Sequence, residues 1–581
     1  MATLKIIGFS GEIPKLLPRL LPDMSAQKAF NTRLDDGGLT PVRVPRLVPG
    51  ANLVSDTKTI YLHGEDWLSW DSVVNAAPGP VAQDRLYYTG DGKPKMRVGE
   101  DVYDLAVPFP TAALAATVSG SPTSDLGFTR VYVYTFVTSF GEESEPCPLS
   151  NEVYWEPGQT VTLSGFEAAP SGRAITHQRI YRGQTTASGS TELFFIAERA
   201  ASNTNYTDDV PLSQIQGTLP SARWNPPPDE LKGLIALPNG MMAGFVGKDL
   251  YFCEPFRPHA WPEDYVLTTD FDIVGLGAFG TSMAVLTTGN PYIVNGTHPA
   301  TMIMEKLELN LPCINPRSIQ DMGYAVAYAT HDGLVMVSPG GARIATEQLM
   351  SRDDWMQLNP NVISSGQYQG RYFASYEFVN ARGERNTGTI IIDLSGQQPF
   401  VIRSRIRAEA FYYDVKGSSL FFVSENKVFQ WDATGEVKSV QTWRSKQFVL
   451  PRPTNFGAVM VEADDFLTDE EIAAIEALAE EIRQENAAIV ASGQLDGSIN
   501  STPLNTFAIN GDAAKPVPTI SQFAAIAVYA DRRLVATVSR VNEMARLPSG
   551  TLARMWEIEV GSDMQISQIT LATTGAELAQ V

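Results

Sequence analysis

Cysteine is scarce in this chain, which limits the chemistry that it can carry. Among 581 residues there are three cysteines, Cys147, Cys253 and Cys313, which lie far apart and form no Cys-x-x-Cys pair. Neither a disulfide framework nor a cysteine zinc site is therefore expected, and the thiols are expected to stay reduced in a cytosol.

Histidine is almost as scarce, and no two histidines have the H-x-H or H-x-x-x-H spacing that would place two imidazoles on one metal ion. No metal site and no cofactor is expected. The five are His63, His177, His259, His298 and His331. The last of them precedes Asp332 in a predicted hairpin, where Asp-Gly is ordinary turn chemistry, so no catalytic role is assigned to it.

Long apolar runs are also lacking. The first residues, "MATLKIIGFSGEIPKLLPRLLP", are interrupted by Pro14, Pro18 and Pro22, so they do not read as a signal peptide. No run of roughly 18 apolar residues occurs elsewhere, so no membrane span is expected.

Basic residues are outnumbered, with 44 Lys and Arg against 65 Asp and Glu and a net charge of −21. An acidic surface argues against tight nucleic-acid binding, which needs cations to neutralise phosphates. It does not exclude DNA that passes through, because a conduit must not hold its cargo. Solubility alone is an equally good reason for the charge.

What the chain has in abundance is a repeated hairpin pattern: an apolar strand, a polar turn and a second apolar strand. It occurs at "TIYLHGEDWLSW" (from residue 59), "RLYYTGDGKPKMRV" (85), "MAGFVGKDLYF" (242), "MAVLTTGNPYIV" (283), "AVAYATHDGLVMV" (325), "RYFASYEFVNARGERNTGTIIIDL" (371) and "LFFVSENKVFQW" (420). From 242 onward the steps are 41, 42, 46 and 49 residues. That period predicts propeller blades, and the alternative is unrelated hairpins in a sandwich. If the hairpins at 59 and 85 form one blade, there are six.

Two other units interrupt or follow this pattern. The alternating strand "TRVYVYTFVTSFGEESEPCPLS" and the strands after it predict a fibronectin-like sandwich, and "RWNPPPDELKG" (223–233) predicts a stiff linker. The segment 467–490 predicts a helix with a capping box formed by Thr468 and Glu471. Its apolar stripe consists of Ile472, Ile475, Leu478, Ile482 and Ile489. The helix packs either on its own domain or on a neighbouring subunit.

The predicted fold is thus mainly β: a six-bladed propeller with an inserted fibronectin-like sandwich and a small C-terminal β-domain that carries one long helix. The expected domains are an N-terminal arm with the first blade (1–115), the sandwich (116–224), the remaining blades (225–455) and the helix with its β-domain (456–581).

Catalytic motifs are weak. Gly275, Gly277 and Gly280 form a G-x-G-x-x-G, but the residues after them predict strand–turn–strand, whereas a phosphate site needs a helix N-terminus there. Glycines at a blade boundary explain the pattern better. Propeller glycosidases use two carboxylates, yet nothing selects a pair among acids such as Asp270, Asp272 and Asp332. The segment "TSDLGFTR" (123–130) only partly matches the Asp-box of sialidases. The expectation is therefore that the protein is not an enzyme.

The densest cluster of chemically active residue types is "YFCEPFRPHAWPEDY" (251–265). Pro255, Pro258 and Pro262 fix φ and remove N–H donors, so the segment predicts a rigid corner after a strand. Trp261, Phe256 and Tyr265 are expected to cover the edge of the propeller, with Glu254 and His259 hydrogen-bonded locally.

Several stretches together resemble the tail nozzle proteins of short-tailed bacteriophages, the tail tubular protein B type. They are "GFSGEIPKLLPRLLPDMSAQKAFNTRLDDGGLTPVRVP", "TFVTSFGEESEPCPLSNEV", "PPPDELKGLIALPNGMMAGFVGKDLYFCEPFRPHAWPEDY", "RSIQDMGYAVAYATHDGLVMVS" and "LPSGTLARMWEIEV". None of them is a catalytic motif, and no site residue is carried over from the family. The helix at 467–490 has no counterpart in the general pattern of the family.

The resemblance implies a homohexameric ring in the virion tail, assembled in the host cytoplasm. Such a ring lies below the portal and the adaptor, conducts and gates genomic DNA during ejection, and helps to anchor fibres or spikes; a needle or plug is a further partner. DNA would pass without sequence-specific binding. The alternative function is that of a glycan-binding or glycan-degrading propeller, either an adhesin or a depolymerase.

Overall fold

A computed structural model of the chain describes residues 3–82, 84–185, 191–380, 382–396, 398–464, 469–491, 517 and 522–578. Within these ranges the protein is mainly β, with 46 strands, three α-helices and six short 3-10 helices. Most of the strands belong to small antiparallel sheets, as the hairpin pattern of the sequence predicts.

Seven of these sheets follow the predicted hairpins, and we number them I to VII. Sheets I to III comprise Thr59–His63 and Asp66–Trp70 (I); Asn75–Pro78, Arg85–Thr89, Lys95–Val98 and Asp101–Asp104 (II); and Lys232–Ala236, Met242–Val246, Asp249–Phe252 and Leu267–Thr268 (III). Sheets IV and V comprise Ile273–Phe279, Ser282–Thr287, Tyr292–Asn295 and Ile303–Lys306 (IV); and Gln320–Asp321, Val326–Ala329, Leu334–Ser338 and Gly341–Ile344 (V). Sheets VI and VII comprise Ser364–Tyr368, Arg371–Val379, Arg385–Asp393 and Phe400–Ser404 (VI); and Ala410–Asp414, Ser419–Ser424, Lys427–Gln430 and Arg46–Leu47 (VII).

Every predicted hairpin is confirmed by its strand register. The tight turn of sheet VII shows why: Glu425 and Asn426 both have positive φ, at 51° and 59°, as a two-residue turn between twisted strands requires. One expectation is wrong. The hairpins at 59 and 85 lie in different sheets, I and II, rather than in one, because the strand Asn75–Pro78 pairs with Arg85–Thr89 and separates them.

Each numbered sheet shares a hydrophobic core with the next one. Tyr87 of sheet II packs with Leu234 of sheet III, and the same relation continues through sheets IV, V, VI and VII. Val423 of sheet VII packs with Ile60 of sheet I, and sheet I in turn shares a core with sheet II through Tyr61 and Tyr88. The sheets therefore stabilise one another face to face.

The glycines of the G-x-G-x-x-G pattern lie where sheets IV and V approach closely. A Cβ atom at Gly275 would lie 2.3 Å from Ile319 Cδ1, and one at Gly277 would lie 2.6 Å from both Cγ atoms of Val326. Gly280 has a φ of 58° in the turn that follows. These positions require glycine for packing and for backbone conformation, in agreement with a sheet boundary.

The segment 115–208 forms a sandwich. One sheet contains Ala115–Ser119, Thr160–Ser164 and Tyr206–Asp208, and the other contains Tyr132–Thr138, Ile175–Thr185 and Thr191–Ala200, with the short pair Phe128–Arg130 and Val153–Trp155 beside them. Both sheets contribute to one core, in which Tyr132, Val161 and Ile180 are fully buried. Side chains alternate between the two faces of each strand, so every second residue points into the space between the sheets.

The two ends of the chain meet in shared sheets. Sheet VI continues through Ala26–Phe30 and Gln441–Ser445 into Ala553–Ser562, Ala524–Ala530 and Arg533–Val538, with Phe448–Thr454 paired to Ala553–Ser562. A second sheet contains Thr3–Ile7, Ile566–Ala572, Ala458–Ala463 and Ala545–Arg546, and a two-stranded ladder joins Thr32–Arg33 to Thr40–Pro41. The expected C-terminal β-domain therefore shares its sheets and its core with the first residues of the chain.

The predicted long helix spans Asp469–Ala491. Along it Ile472, Ile475 and Ile482 are half-buried, whereas Leu478 is 49% exposed. Thr468 of the predicted capping box, like the side chains of Glu471 and Ile489, lies outside the described residues. The other α-helices are Arg352–Gln357 and Gly575–Leu578, and the 3-10 helices are Leu212–Gln214, Pro238–Gly240, Glu263–Tyr265, Pro299–Thr301, Pro316–Ser318 and Pro360–Val362.

Replacing Gly277 with Val tests the close approach of sheets IV and V. The added side chain would overlap Val326, so we expect the free energy of unfolding to fall by at least ~1–3 kcal/mol in urea denaturation. Gly217→Ala is the control, because nothing lies within 4 Å of the added Cβ. Equal stability of the Gly277→Val variant and the wild type would contradict the tight contact.

Candidate functional site

A cluster of buried charges connects the sandwich to sheet II. Arg173, in the loop before the sandwich strand Ile175–Thr185, donates from Nη2 to Glu142 Oε2 at 2.8 Å. Arg85 Nη1 of sheet II lies 3.8 Å from the other oxygen of the same carboxylate. The side chains of Arg173 and Glu142 are 2% and 7% exposed. We call this cluster the ionic junction.

The neighbouring acid, Glu143, anchors the same turn inside the sandwich. Its carboxylate accepts from Thr135 Oγ1 at 2.8 Å, from Tyr181 Oη at 2.6 Å and from Arg179 Nη1 at 2.7 Å. These three donors satisfy a carboxylate that is almost fully buried. The turn between Thr138 and Glu142 is therefore anchored to the sandwich, and the carbonyl of Glu143 points away from it toward His259.

His259 joins the ionic junction from the segment between the last two strands of sheet III, Asp249–Phe252 and Leu267–Thr268. Its Nε2 lies 3.2 Å from the carbonyl oxygen of Glu143, and a carbonyl only accepts, so Nε2 carries the proton. The ring also meets the edge of Trp224, at 5.8 Å between centroids. Burial, and then the charges of Arg173, Arg257 and Arg85, lower the pKa of His259 to about 3. His259 is therefore neutral at ordinary pH.

The position of His259 corrects one expectation about "YFCEPFRPHAWPEDY". Glu254 does bond locally, because its Oε2 accepts from Tyr265 Oη at 2.8 Å. His259 instead bonds to the sandwich, more than a hundred residues away in sequence. Trp261 is fully buried and Tyr265 half-buried, but Phe256 is 51% exposed. The corner therefore also serves as a contact between two parts of the protein.

The thiol in this corner is chemically inert. Cys253 is fully buried, and burial raises its pKa to about 12. Cys313 is shifted to about 12 and Cys147 to about 11 for the same reason. Because the thiolate is the nucleophile, none of the three is a candidate for nucleophilic catalysis.

The other candidate residues are dispersed. Asp270 pairs with Lys306 at 2.7 Å, Asp332 pairs with Arg352 at 2.8 Å, and Asp272 is exposed. His298 caps a 3-10 helix by accepting from the amide of Ala300. Among the described residues, no group of three or more His, Cys, Asp and Glu side chains could hold a metal ion. The segment "TSDLGFTR" ends in the short sandwich strand Phe128–Arg130.

A narrow cavity of ≈ 320 Å³ lies between the first strands of sheets II, III and IV and the segment before sheet V. Small and aliphatic residues line it, together with the carboxylate of Asp321, whose pKa burial raises. The glycines Gly275 and Gly277 form part of its wall. In the described part of the chain, no helix is long and apolar enough to cross a membrane.

The first test of the ionic junction is its pH dependence. Unfolded His259 binds a proton below about pH 6.5, whereas the folded ring stays neutral to about pH 3. Stability is therefore complete above pH 6.5 and falls as pH decreases, by about 1.4 kcal/mol per unit. Between pH 7 and pH 5, we expect the free energy of unfolding of His259→Gln to fall by about 2 kcal/mol less than that of the wild type. The exposed His331→Gln should follow the wild type, and identical profiles for His259→Gln and wild type would refute the assignment.

The second test breaks the buried ion pair. Arg173→Met leaves Glu142 without its closest cation, so we expect a loss of about 3–5 kcal/mol in urea denaturation. The double variant Glu142→Gln/Arg173→Met should recover part of the loss, because it removes the buried carboxylate that the single variant leaves without its closest cation, although Arg85 then loses Glu142 as its partner. Arg223→Met, which removes an exposed pair with Asp264, is the control and should change little. Additive losses in the double variant would contradict direct coupling.

Comparisons with known proteins identify no family. No family model matches the chain, and no curated protein matches it significantly. Matching solved structures include a gluconolactonase from Xanthomonas campestris, with 11% identity and a TM-score of 0.19 over 71% of this chain and 99% of that chain. An exo-β-1,3-galactanase from Phanerochaete chrysosporium matches with 9% identity and a TM-score of 0.20 over 70% and 98%. TM-scores this low carry no argument about fold or function.

Proposed function

We propose that this chain is a structural component of a phage tail: a ring-forming nozzle that extends the tail tube below the portal and the adaptor. In this role the ring conducts and gates genomic DNA during ejection and helps to anchor fibres. Its partners are further copies of the chain, the adaptor above, fibres or spikes, and DNA that passes without sequence-specific binding. Assembly takes place in the host cytoplasm, and the mature location is the virion tail.

The observation that carries this proposal is where the family-like stretches lie. Each of them contributes a residue that joins parts of the chain distant in sequence. Glu12, from the first stretch, accepts from the amide of Ala29 at 2.8 Å and from Arg403 Nε at 2.7 Å. Glu142 and His259, from the second and third stretches, build the ionic junction.

The remaining two stretches follow the same rule. The carbonyl of Ser318, in the fourth, accepts from Tyr372 Oη of sheet VI at 2.7 Å. Glu557, in the fifth, accepts from Gln27 Nε2 at 2.9 Å and pairs with Arg444 Nη2, also at 2.9 Å. A rigid conduit requires contacts that hold its parts together, and it requires no reactive centre. The residues of the family-like stretches supply contacts of this kind.

We further propose that sheets I to VII are the blades of a propeller. The support is that consecutive sheets share cores and that sheets VII and I do so as well. This proposal assigns seven blades where the sequence predicted six, because the hairpins at 59 and 85 each have a sheet of their own. The sandwich, inserted between sheets II and III, would form a platform beside them.

The charge of the chain suits passage of DNA. With a net charge of −21, the protein would repel a duplex that carries one negative charge per roughly 1.7 Å. DNA would then pass without being retained on the wall. The long helix Asp469–Ala491, with Leu478 exposed, is the element we assign to contacts between neighbouring copies.

Electron microscopy of the purified protein tests the proposal. We expect negative-stain images of six-fold rings with a central pore, and the same ring at the tail end of virions labelled with an antibody against the chain. Serum albumin at matched concentration controls for ring-like artefacts. A trimeric fibre, or a monomer that never assembles at any protein concentration or together with the adaptor, would overturn the proposal.

A further inference from the structure

A cavity of ≈ 850 Å³ lies where the leading ends of several sheets converge. Four residues near the starts of these sheets line the cavity. Lys58, Arg317 and Glu409 come shortly before the first strands of sheets I, V and VII, and Ser364 is the first residue of sheet VI. The end of the strand Arg371–Val379 forms a further wall. Small-molecule sites typically enclose about 300–1,000 Å³, so the volume of this cavity suits a ligand made of a few linked units.

An arginine stands between two carboxylates in this cavity. Arg407 Nε lies 2.9 Å from Glu377 Oε2, and Arg407 Nη1 donates to Glu409 Oε1 at 3.0 Å. Arg385 Nε reaches the second oxygen of Glu377 at 2.5 Å. These side chains are only partly buried, between 28% and 60% exposed. The guanidinium and carboxylate groups are thus fixed in orientation, while part of each remains exposed to the cavity.

The walls are held in place by further contacts. Arg317 Nη2 donates to the backbone carbonyl of Glu409, which ties the segments before sheets V and VII together. On the strand Arg371–Val379, Val379 lies on the same face as Glu377, because side chains alternate along a strand. Val379 and Val362 are both more than half exposed and both line the cavity. The site therefore combines apolar side chains with an ordered set of charged groups.

The balance of charge selects the class of ligand. The lining contains three cations, Lys58, Arg317 and Arg407, and four acids, Asp56, Glu377, Glu409 and Glu425. A phosphate or a uronate would meet a site that is not positive overall. A hydroxyl group, in contrast, donates to a carboxylate and accepts from a guanidinium at the same time. Vicinal hydroxyls of a neutral sugar match this alternation, and the sugar's apolar face matches the exposed valines of the lining.

We propose that this cavity binds a neutral oligosaccharide. Binding uses Glu409, Arg407 and Glu377 as hydrogen-bond partners of sugar hydroxyls, with Val362 and Val379 as the apolar wall. The inference is independent of the nozzle assignment, because it depends only on this cavity.

The contacts of Glu377 define its part in binding. The hydrogen bond from Arg385, together with the charge of Arg407, lowers the pKa of Glu377. Its carboxylate therefore accepts hydrogen bonds from sugar hydroxyls and does not donate a proton to them.

The test is a glycan array printed with neutral glucans, galactans and mannans, and separately with uronate- and phosphate-bearing glycans. The purified full-length protein should bind at least one neutral glycan. Its dissociation constant, measured by calorimetry, should rise about tenfold in Arg407→Gln and in Glu409→Gln. Asp332→Asn and Arg352→Gln, which alter an exposed pair of the same type outside the cavity, should stay within about twofold of the wild type.

Each other outcome overturns the proposal. Absence of neutral-glycan binding at millimolar concentration would reject the site, as would binding that the two cavity variants leave unchanged while circular dichroism shows them folded. Binding to charged glycans alone would reject the ligand class. None of these results bears on ring formation, which is measured separately.

Discussion

The ionic junction around Glu142 is the contact on which the placement of the sandwich depends. Burying charges is costly unless they are paired with good geometry. Glu142 and Arg173 both belong to the sandwich and pair within it. Arg85 of sheet II and His259 of sheet III reach the same turn from outside, so these two contacts join the sandwich to the rest of the chain.

Around this junction the protein is built from small sheets that cannot bury themselves alone. A two-stranded sheet such as sheet I is marginal in isolation, and it persists because sheets II and VII cover its faces. Where sheets IV and V approach most closely, Gly275 and Gly277 remove the side chains that would separate them. Rigidity is thus a collective property, and few single sheets could be changed without affecting both neighbours.

The sequence predicted contacts between residues that are close along the chain and missed contacts between residues that are far apart along it. Hairpins such as that of Glu425 and Asn426 have their signal within a dozen residues, so alternation and turn chemistry were sufficient. The pairing of Thr3–Ile7 with Ile566–Ala572 has no local signature, because any alternating strand could take either place. The partner of His259 was missed for the same reason. The cavity around Arg407 was not found, since its lining comes from segments separated by hundreds of residues, each of them ordinary when read alone.

The pairing of Thr3–Ile7 with Ile566–Ala572 has a consequence for the order of folding. Most of the numbered sheets are built from strands that follow one another directly in sequence, so they can form from local contacts. The sheet that holds these two strands must instead wait until very distant segments meet, and closing so long a loop is slow. This sheet is therefore expected to form among the last steps of folding.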